Sequence, residues 1–258
     1  MYVATDRINR FAVEDIPLKV PVNIDGALAV VFRVGDTSLT VAVVGGVASL
    51  PAEAVALLMP DLGQYDLHMD TGDVYGRNFI MERVSARYTD RARLEADGQA
   101  NNDRFGDTAR YPDQQVAAAI QQAEETIDRS TGRSFCTRVR TVHVQPRRLV
   151  ELPMVDVQST DLDGAEVVNG CQLVGVTAPA DVAVTYGTDL DAQIVDAATR
   201  LAAWYLRPRA QAENARGTSM DGVYISYDLA TGTDGSWTGL PVVDAAIEQH
   251  RSRRVVIG

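Results

Sequence analysis

The apolar positions between residues 113 and 135, in DQQVAAAIQQAEETIDRSTGRSF, repeat with the period of an α-helix. Four of them share one face: Val116, Ile120, Ala123 and Ile127. The opposite face is polar and carries Gln121, Gln122, Glu125 and Arg129. Asp113 is suited to cap the start of this helix, and Gly132 is suited to end it. The pattern predicts an amphipathic helix over 113–131, after which Phe135 folds back as an anchor.

Residues 1–90 show a different pattern, in which short β-type runs alternate with turn residues. The runs lie at 19–24, 28–34, 38–44 and 79–88, and residues 51–59 are compatible with a short helix. Asp25 and Gly26 form a strong turn signal between the first two runs. We therefore expect residues 1–90 to form one small β domain.

The sequence DLGQY at 61–65 adds a more specific expectation for this domain. It resembles the D-x-G-x-Y tyrosine corner of immunoglobulin-like sandwiches, with Leu67 at the position where antibody domains place a cysteine. In such corners the tyrosine hydroxyl bonds back to nearby backbone. The resemblance implies that residues 1–90 are a small immunoglobulin-like β-sandwich.

The rest of the chain divides into a polar segment and a longer α+β region. Residues 91–112 are mixed in charge and poor in large apolar side chains, so we expect a linker or a loosely packed arm. Residues 113–258 are predicted to form a mainly helical domain with β segments at 138–144, 149–157, 166–174 and 181–186. A second helix is expected from Asp191 to Leu206, stopped by Pro208. A third is expected from Pro241 to His250, after a long loop at 209–239.

The charge of the chain limits its expected partners. The 258 residues carry a formal net charge of −11. Binding nucleic acid over a broad surface requires clustered Lys and Arg, which disfavours such a role. The charge is compatible with a channel through which DNA slides.

The sequence contains no recognisable catalytic or cofactor-binding motif. Lys19 is the only lysine and does not follow a glycine-rich loop, so a P-loop is absent. The three histidines are far apart in sequence, and HExxH and CxxC patterns are absent. We expect no catalytic residue, no metal and no cofactor. Cys136 and Cys171 are expected to be reduced thiols rather than a disulfide.

Neither a membrane span nor a signal peptide is predicted. No segment contains the roughly 18 to 20 apolar residues that a span requires. The first residues, MYVATDRINRF, lack the apolar core of a signal peptide. We expect a protein that is made and kept in a cytoplasm.

The region from about 111 to 258 resembles the head-to-tail connector, or head completion, proteins of tailed phages. Three motifs occur in the order seen in that family: TGRSF after a helix, the helix DAATRLAAWYLRPR, and a short last helix ending in HRSRR. The resemblance implies a structural protein of the virion neck, assembled in the cytoplasm of the bacterial host. The β domain at 1–90 lies outside this resemblance.

The partners that the resemblance implies are other components of the neck. About a dozen copies would form a ring below the portal protein and above a tail-side neck or tail terminator protein. DNA would pass through the channel of this ring without specific binding.

Nine residues are candidates for contacts with neighbouring subunits or with the portal: Arg129, Arg133, Phe135, Tyr224, Tyr227, Trp237, Arg251, Arg253 and Arg254. Each also has an ordinary interpretation, as a surface charge, a loop aromatic packed on its own domain, or a helix end favoured by the helix dipole. Two other functions stay open. One is a β module that binds a host surface or a glycan on an oligomerising helical base, and the other is an enzyme of unrecognised type.

Overall fold

The computed structural model describes residues 1, 3–4, 8–22, 27–70, 76–100, 105–207, 217–220, 223–226 and 238–252. For 99–100, 217–220 and 223–226 the description covers only the backbone. Strands and helices both occur in this part of the chain, which confirms the mixed α+β class.

The N-terminal half is built on one curled sheet of seven strands. These are β1 (Ile8–Phe11), β2 (Leu18–Pro21), β3 (Ala29–Val34), β4 (Thr37–Val44), β5 (Val47–Leu50), β6 (Gly63–Asp70) and β7 (Arg77–Arg83). Their order across the sheet is β1-β7-β6-β3-β4-β5-β2. The pairing of β1 with β7 is parallel, and all the others are antiparallel. Helix α1 (Ala52–Leu58) follows β5.

The first residues of the chain bring the two edges of this sheet close together. Val3 N–H donates to the Lys19 carbonyl on β2 at 2.9 Å, and Lys19 N–H donates to the Met1 carbonyl at 2.6 Å. Only five residues later, Ile8 begins β1 at the opposite edge. Five residues span at most about 18 Å, so the sheet must curl strongly. The curled sheet encloses a core that includes Phe11, Phe32, Leu67, Phe79 and Met81.

An immunoglobulin-like sandwich is not confirmed for this half, because the seven strands form one sheet rather than two facing sheets. The expected tyrosine corner does form locally. Tyr65 Oη accepts from Asp61 N–H at 3.1 Å and donates to the Asp61 carbonyl at 2.9 Å. The strands at 18–21 and 29–34 pair with other strands and not with each other. The turn at Asp25 and Gly26 lies outside the described residues.

The prediction of a linker at 91–112 is wrong for the described part of that segment. Helix α2 spans Arg91–Ala100, and Leu94, Phe105 and Tyr111 are buried in the core of the helical half. The Phe105 and Tyr111 rings meet edge to face at 5.1 Å. The segment has too few apolar residues for a core of its own, but these three complete a core that other elements supply.

Three helices pack together in the C-terminal half. They are α3 (Asp113–Thr131), α4 (Ala192–Leu206) and α5 (Pro241–His250), within one or two residues of the predicted bounds. Pro241 is the first residue of α5, as expected. Asp113 is not a side-chain cap: it is the first residue of α3, and its carboxylate instead pairs with Arg91 Nη1 at 2.6 Å.

Two small sheets lie between α3 and α4 in sequence. The first has the order β10-β13-β8, formed by β8 (Arg138–Val144), β10 (Val157–Thr160) and β13 (Ala180–Tyr186). The second has the order β11-β12-β9, formed by β9 (Val150–Glu151), β11 (Glu166–Val168) and β12 (Gln172–Val174). Strands β14 (Gly217–Met220) and β15 (Val223–Ser226) pair with each other within the predicted long loop. Cys136 and Cys171 are free thiols, as expected.

Candidate interaction site at the end of helix α3

Helix α3 ends in a turn that the TGRSF sequence specifies. Gly132 has a φ of 68°, in the left-handed region that favours glycine, and its N–H donates to the Asp128 carbonyl at 2.8 Å. Thr131 Oγ1 donates to the Ile127 carbonyl at 2.8 Å, which closes the last helical turn. The chain therefore reverses sharply and enters β8 within a few residues.

Phe135 is the anchor of this turn. It is 2% exposed and contacts the rings of Tyr88 and His250, with centroid distances of 5.9 and 5.4 Å. Its backbone N–H donates to Tyr88 Oη at 2.7 Å. The expected anchoring role is confirmed. The prediction that Phe135 contacts other subunits is corrected, because its ring is already covered by residues of its own chain.

The turn also holds the residues that follow α5. The backbone N–H of Ser252 donates to the Thr131 carbonyl at 2.7 Å, and His250 at the end of α5 packs on Phe135. Two motifs that are more than a hundred residues apart, TGRSF and the start of HRSRR, are thus in direct contact.

A cleft of about 450 Å³ opens beside this turn, between the end of α3 and the β8-β13-β10 sheet. Its charged lining comprises five arginines and two carboxylates: Arg10, Arg129, Arg133, Arg138, Arg140, Glu125 and Asp128. Arg129 and Arg140 are exposed, and neither has an ion-pair partner among the described residues. Two exposed guanidiniums at the mouth of a cleft offer donors for an incoming anion.

The base of the cleft is a buried network of charges that joins both halves of the chain. Arg10 Nε lies 3.1 Å from Glu82 Oε2, and Arg10 Nη1 lies 3.2 Å from Glu124 Oε2. Arg138 Nη2 lies 2.5 Å from Asp128 Oδ2. Because these guanidiniums are buried and already paired with carboxylates of the same chain, they serve the structure rather than an incoming ligand.

Glu124 is the centre of this network, and its side chain is completely buried. Its Oε1 accepts from Arg87 Nε at 2.8 Å and from the Tyr88 backbone N–H at 2.9 Å. Burial alone would raise the pKa of Glu124, but the Arg87 and Arg10 guanidiniums outweigh it and hold that pKa below its usual value. Glu124 is therefore ionised at neutral pH.

Tyr88 and Cys136, which lie behind the cleft, keep their protons. Burial raises the pKa of the Tyr88 hydroxyl well above its usual value, and the Asp128 carboxylate adds to the effect. Burial also raises the pKa of the Cys136 thiol. A protonated hydroxyl and a protonated thiol are weak nucleophiles at neutral pH.

Arg133 has a partner within the chain. Its Nε donates to Asp156 Oδ2 and its Nη2 donates to Asp156 Oδ1, each at 2.7 Å, in a bidentate pair. Asp156 has a φ of 57°, and its carbonyl accepts from Gly187 N–H at 3.0 Å. Arg133 therefore fixes the loop before β10 and is only partly available at the cleft.

The other predicted contact residues are only partly described. Arg251 is exposed directly after α5. Tyr224 lies in β15, of which only the backbone is described. Tyr227, Trp237, Arg253 and Arg254 lie outside the described residues.

Sequence reasoning missed the buried network, because its members come from five separate places along the chain. One signal was available: Glu124 lies four residues after Ile120 and three before Ile127, which places a carboxylate on the apolar side of α3. Gln121 was assigned to the polar face, but it is 4% exposed and binds the backbone of β1, where Arg10 N–H donates to its Oε1 at 3.3 Å.

A second missed signal is the segregation of charge along the sequence. Residues 129–148 contain six arginines and no carboxylate, whereas residues 149–191 contain eight carboxylates and neither lysine nor arginine. The basic stretch covers the mouth of the cleft and β8. It stands out in a chain whose total charge is −11.

The described residues include no group of three or more His, Cys, Asp or Glu side chains arranged to hold a metal ion. They also include no helix that is both long and apolar enough to cross a membrane. No model of a known protein family matches the sequence, and no curated protein matches it either.

Proposed function

We propose that this protein is a structural component of a tailed-phage virion, a head-to-tail adaptor that forms a ring between the portal protein and the tail. About a dozen copies would surround the DNA channel, a number that follows from the family resemblance. DNA would pass without specific binding, in keeping with the net charge of −11.

The observation that carries the proposal is the contact between the family-like motifs. The TGRSF turn and the end of α5 pack together through Phe135 and His250, and Ser252 N–H bonds to Thr131 at 2.7 Å. The residues that resemble the connector family therefore belong to one packed unit. In this proposal, that unit builds the ring wall, and the chain after Ser252 reaches the portal.

The curled sheet of residues 1–90 has no counterpart in the resemblance, so we propose that it lies on the outside of the ring. It is joined to α3 through the buried pairs of Arg10 and Arg87 with Glu124. Breaking such pairs is strongly unfavourable, so the sheet is held as part of the ring subunit.

Binding to purified portal protein tests this proposal. The full chain should bind the portal, and a variant that lacks residues 253–258 should stay folded but lose binding. Ending the variant at Ser252 keeps the bond to Thr131. The matched control is Arg33→Ala with Arg93→Ala, which removes two exposed arginines elsewhere and should keep binding. Failure of the full chain to bind the portal would contradict the adaptor role, and binding by the shortened chain would contradict docking through the tail.

A further inference from the structure

One arginine of residues 129–148 and a group of carboxylates of residues 149–191 lie at opposite edges of one small sheet. Strand β8 forms one edge and carries Arg140, and β10 forms the other. In the paired register, Arg140 is opposite Val184 and Val184 is opposite Thr160, after which the chain enters an acidic turn. Two strand spacings separate the edges, about 10 Å.

The acidic edge consists of the exposed turn between β10 and β11 together with Glu166, the first residue of β11. Asp161, Asp163 and Glu166 are all exposed, and Asp163 and Glu166 have no ion-pair partner among the described residues. The Asp161 carboxylate accepts from the Ala183 N–H at 2.8 Å, which ties the start of the turn to β13. The turn thus presents two carboxylates on a supported backbone.

The basic edge is the mouth of the cleft. Arg129 at the end of α3 and Arg140 on β8 are exposed and have no carboxylate partner in the described part of the chain. The cleft volume of about 450 Å³ fits side chains or one turn of a polypeptide rather than a DNA duplex.

We propose that the cleft mouth, formed by Arg129 and Arg140, binds the acidic turn 161–166 of a second copy of this chain. Donor and acceptor surfaces are different patches of one subunit, so the contact is heterologous and runs head to tail. Repeated contacts of this kind close into a ring when the rotation between copies permits it. The inference deepens the proposed adaptor role by naming the surfaces that join neighbouring subunits in the ring.

Disulfide trapping between two full-length variants tests this contact, because it captures weak and transient association. Both variants carry Cys171→Ser to remove the half-buried native thiol. One also carries Val155→Cys, at a half-buried position in the lining of the cleft, and the other carries Ala165→Cys, which leaves Asp163 and Glu166 in place. The matched control replaces Val155→Cys with Thr40→Cys, at an exposed threonine on β4.

We expect the Val155→Cys and Ala165→Cys variants to form mixed dimers at least roughly tenfold faster than the control pair, as steered association does. Adding Arg129→Glu and Arg140→Glu to the first variant should reduce the rate to that of the control. Adding Glu166→Arg to the second variant should then restore part of it. Rates equal to the control, or rates that do not respond to these reversals, would overturn the inference.

A 20-base-pair DNA duplex is the competing ligand in this test. Binding of the duplex that is lost on Arg129→Glu with Arg140→Glu, together with trapping at the control rate, would assign the surface to nucleic acid and overturn the inference. The test is separate from that of the adaptor role. If the variants are trapped as dimers but the chain is absent from phage particles, the contact stands and the adaptor role is wrong. If the chain is present in the particles but the variants are not trapped, the adaptor role stands and the contact is wrong.

Discussion

Glu124 on α3 and Arg87, shortly after β7, form a fully buried ion pair with 2.8 Å between Oε1 and Nε. Glu124 also receives Arg10 Nη1 at 3.2 Å, and Arg10 lies on β1. A single carboxylate thus joins the helical half of the chain to two parts of the curled-sheet half. Glu124 is therefore one of the residues that fix the sheet against α3.

Replacing Glu124 with Gln should lower the free energy of unfolding by about 3 kcal/mol or more, because two buried guanidiniums lose their shared counter-charge. Urea unfolding followed by circular dichroism measures the change. Glu248→Gln, at an exposed position on α5, is the matched control and should change stability by less than about 0.5 kcal/mol. Equal small effects of both substitutions would show that the network does not hold the two halves together.

Glu124 should also make the stability of the protein sensitive to acid. Its pKa is lower in the folded protein than the ordinary value of 4.5, so its contribution is present above pH 4.5 and is lost as the pH falls from there through the folded pKa. We expect the stability difference between the wild type and Glu124→Gln to shrink in that range. Urea unfolding of both proteins between about pH 7 and about pH 3 measures it. If the stability difference between the two proteins stays constant over that range, Glu124 is not the group that confers the acid sensitivity.

Tyr88 should matter through its hydroxyl rather than its ring alone. The hydroxyl donates to Asp128 and accepts from Phe135 N–H at 2.7 Å, in a buried setting. Tyr88→Phe leaves both groups without this partner and should cost about 1 to 3 kcal/mol. Tyr65→Phe removes a hydroxyl whose bonds are exposed and should cost less than about 1 kcal/mol. Thermal unfolding of the two variants compares their losses of stability. A larger loss for Tyr65→Phe than for Tyr88→Phe would contradict this prediction.

A substitution at Phe105 tests whether residues 91–112 contribute to the core of the helical half. It is 1% exposed and packs on Tyr111, so Phe105→Ala should lower the free energy of unfolding by about 3 kcal/mol or more. Leu57→Ala, at a side chain that is 55% exposed, serves as the control and should cost far less. A loosely packed arm would instead show equally small losses for both variants in chemical denaturation.

Helices α3, α4 and α5 were predictable from sequence because their signals are local, whereas α2 was not. The apolar period of α3, Gly132 at its end, and Pro241 at the start of α5 each act within a few residues. The bond from Tyr65 to Asp61 was predictable for the same reason. The turn at Gly132 indicated that Phe135 folds back, but its ring partners, Tyr88 and His250, are distant in sequence.

The arrangement of the strands and the site depended on distant partners. Lys19 pairs with both Ser49 and the first residues of the chain, which no short pattern indicates. Leu94 and Phe105 are buried by helices far along the sequence, so a polar segment with few apolar residues was misread as a linker. The buried charges of Arg10 and Glu124 are 114 positions apart, and each helps to neutralise the other.

The most direct test of the adaptor role is the copy number of this chain in purified particles of the phage or induced prophage that encodes it. Quantitative mass spectrometry can count it against the portal protein of the same particles. The proposal predicts a copy number close to that of the portal. Absence of the chain from complete particles would contradict it.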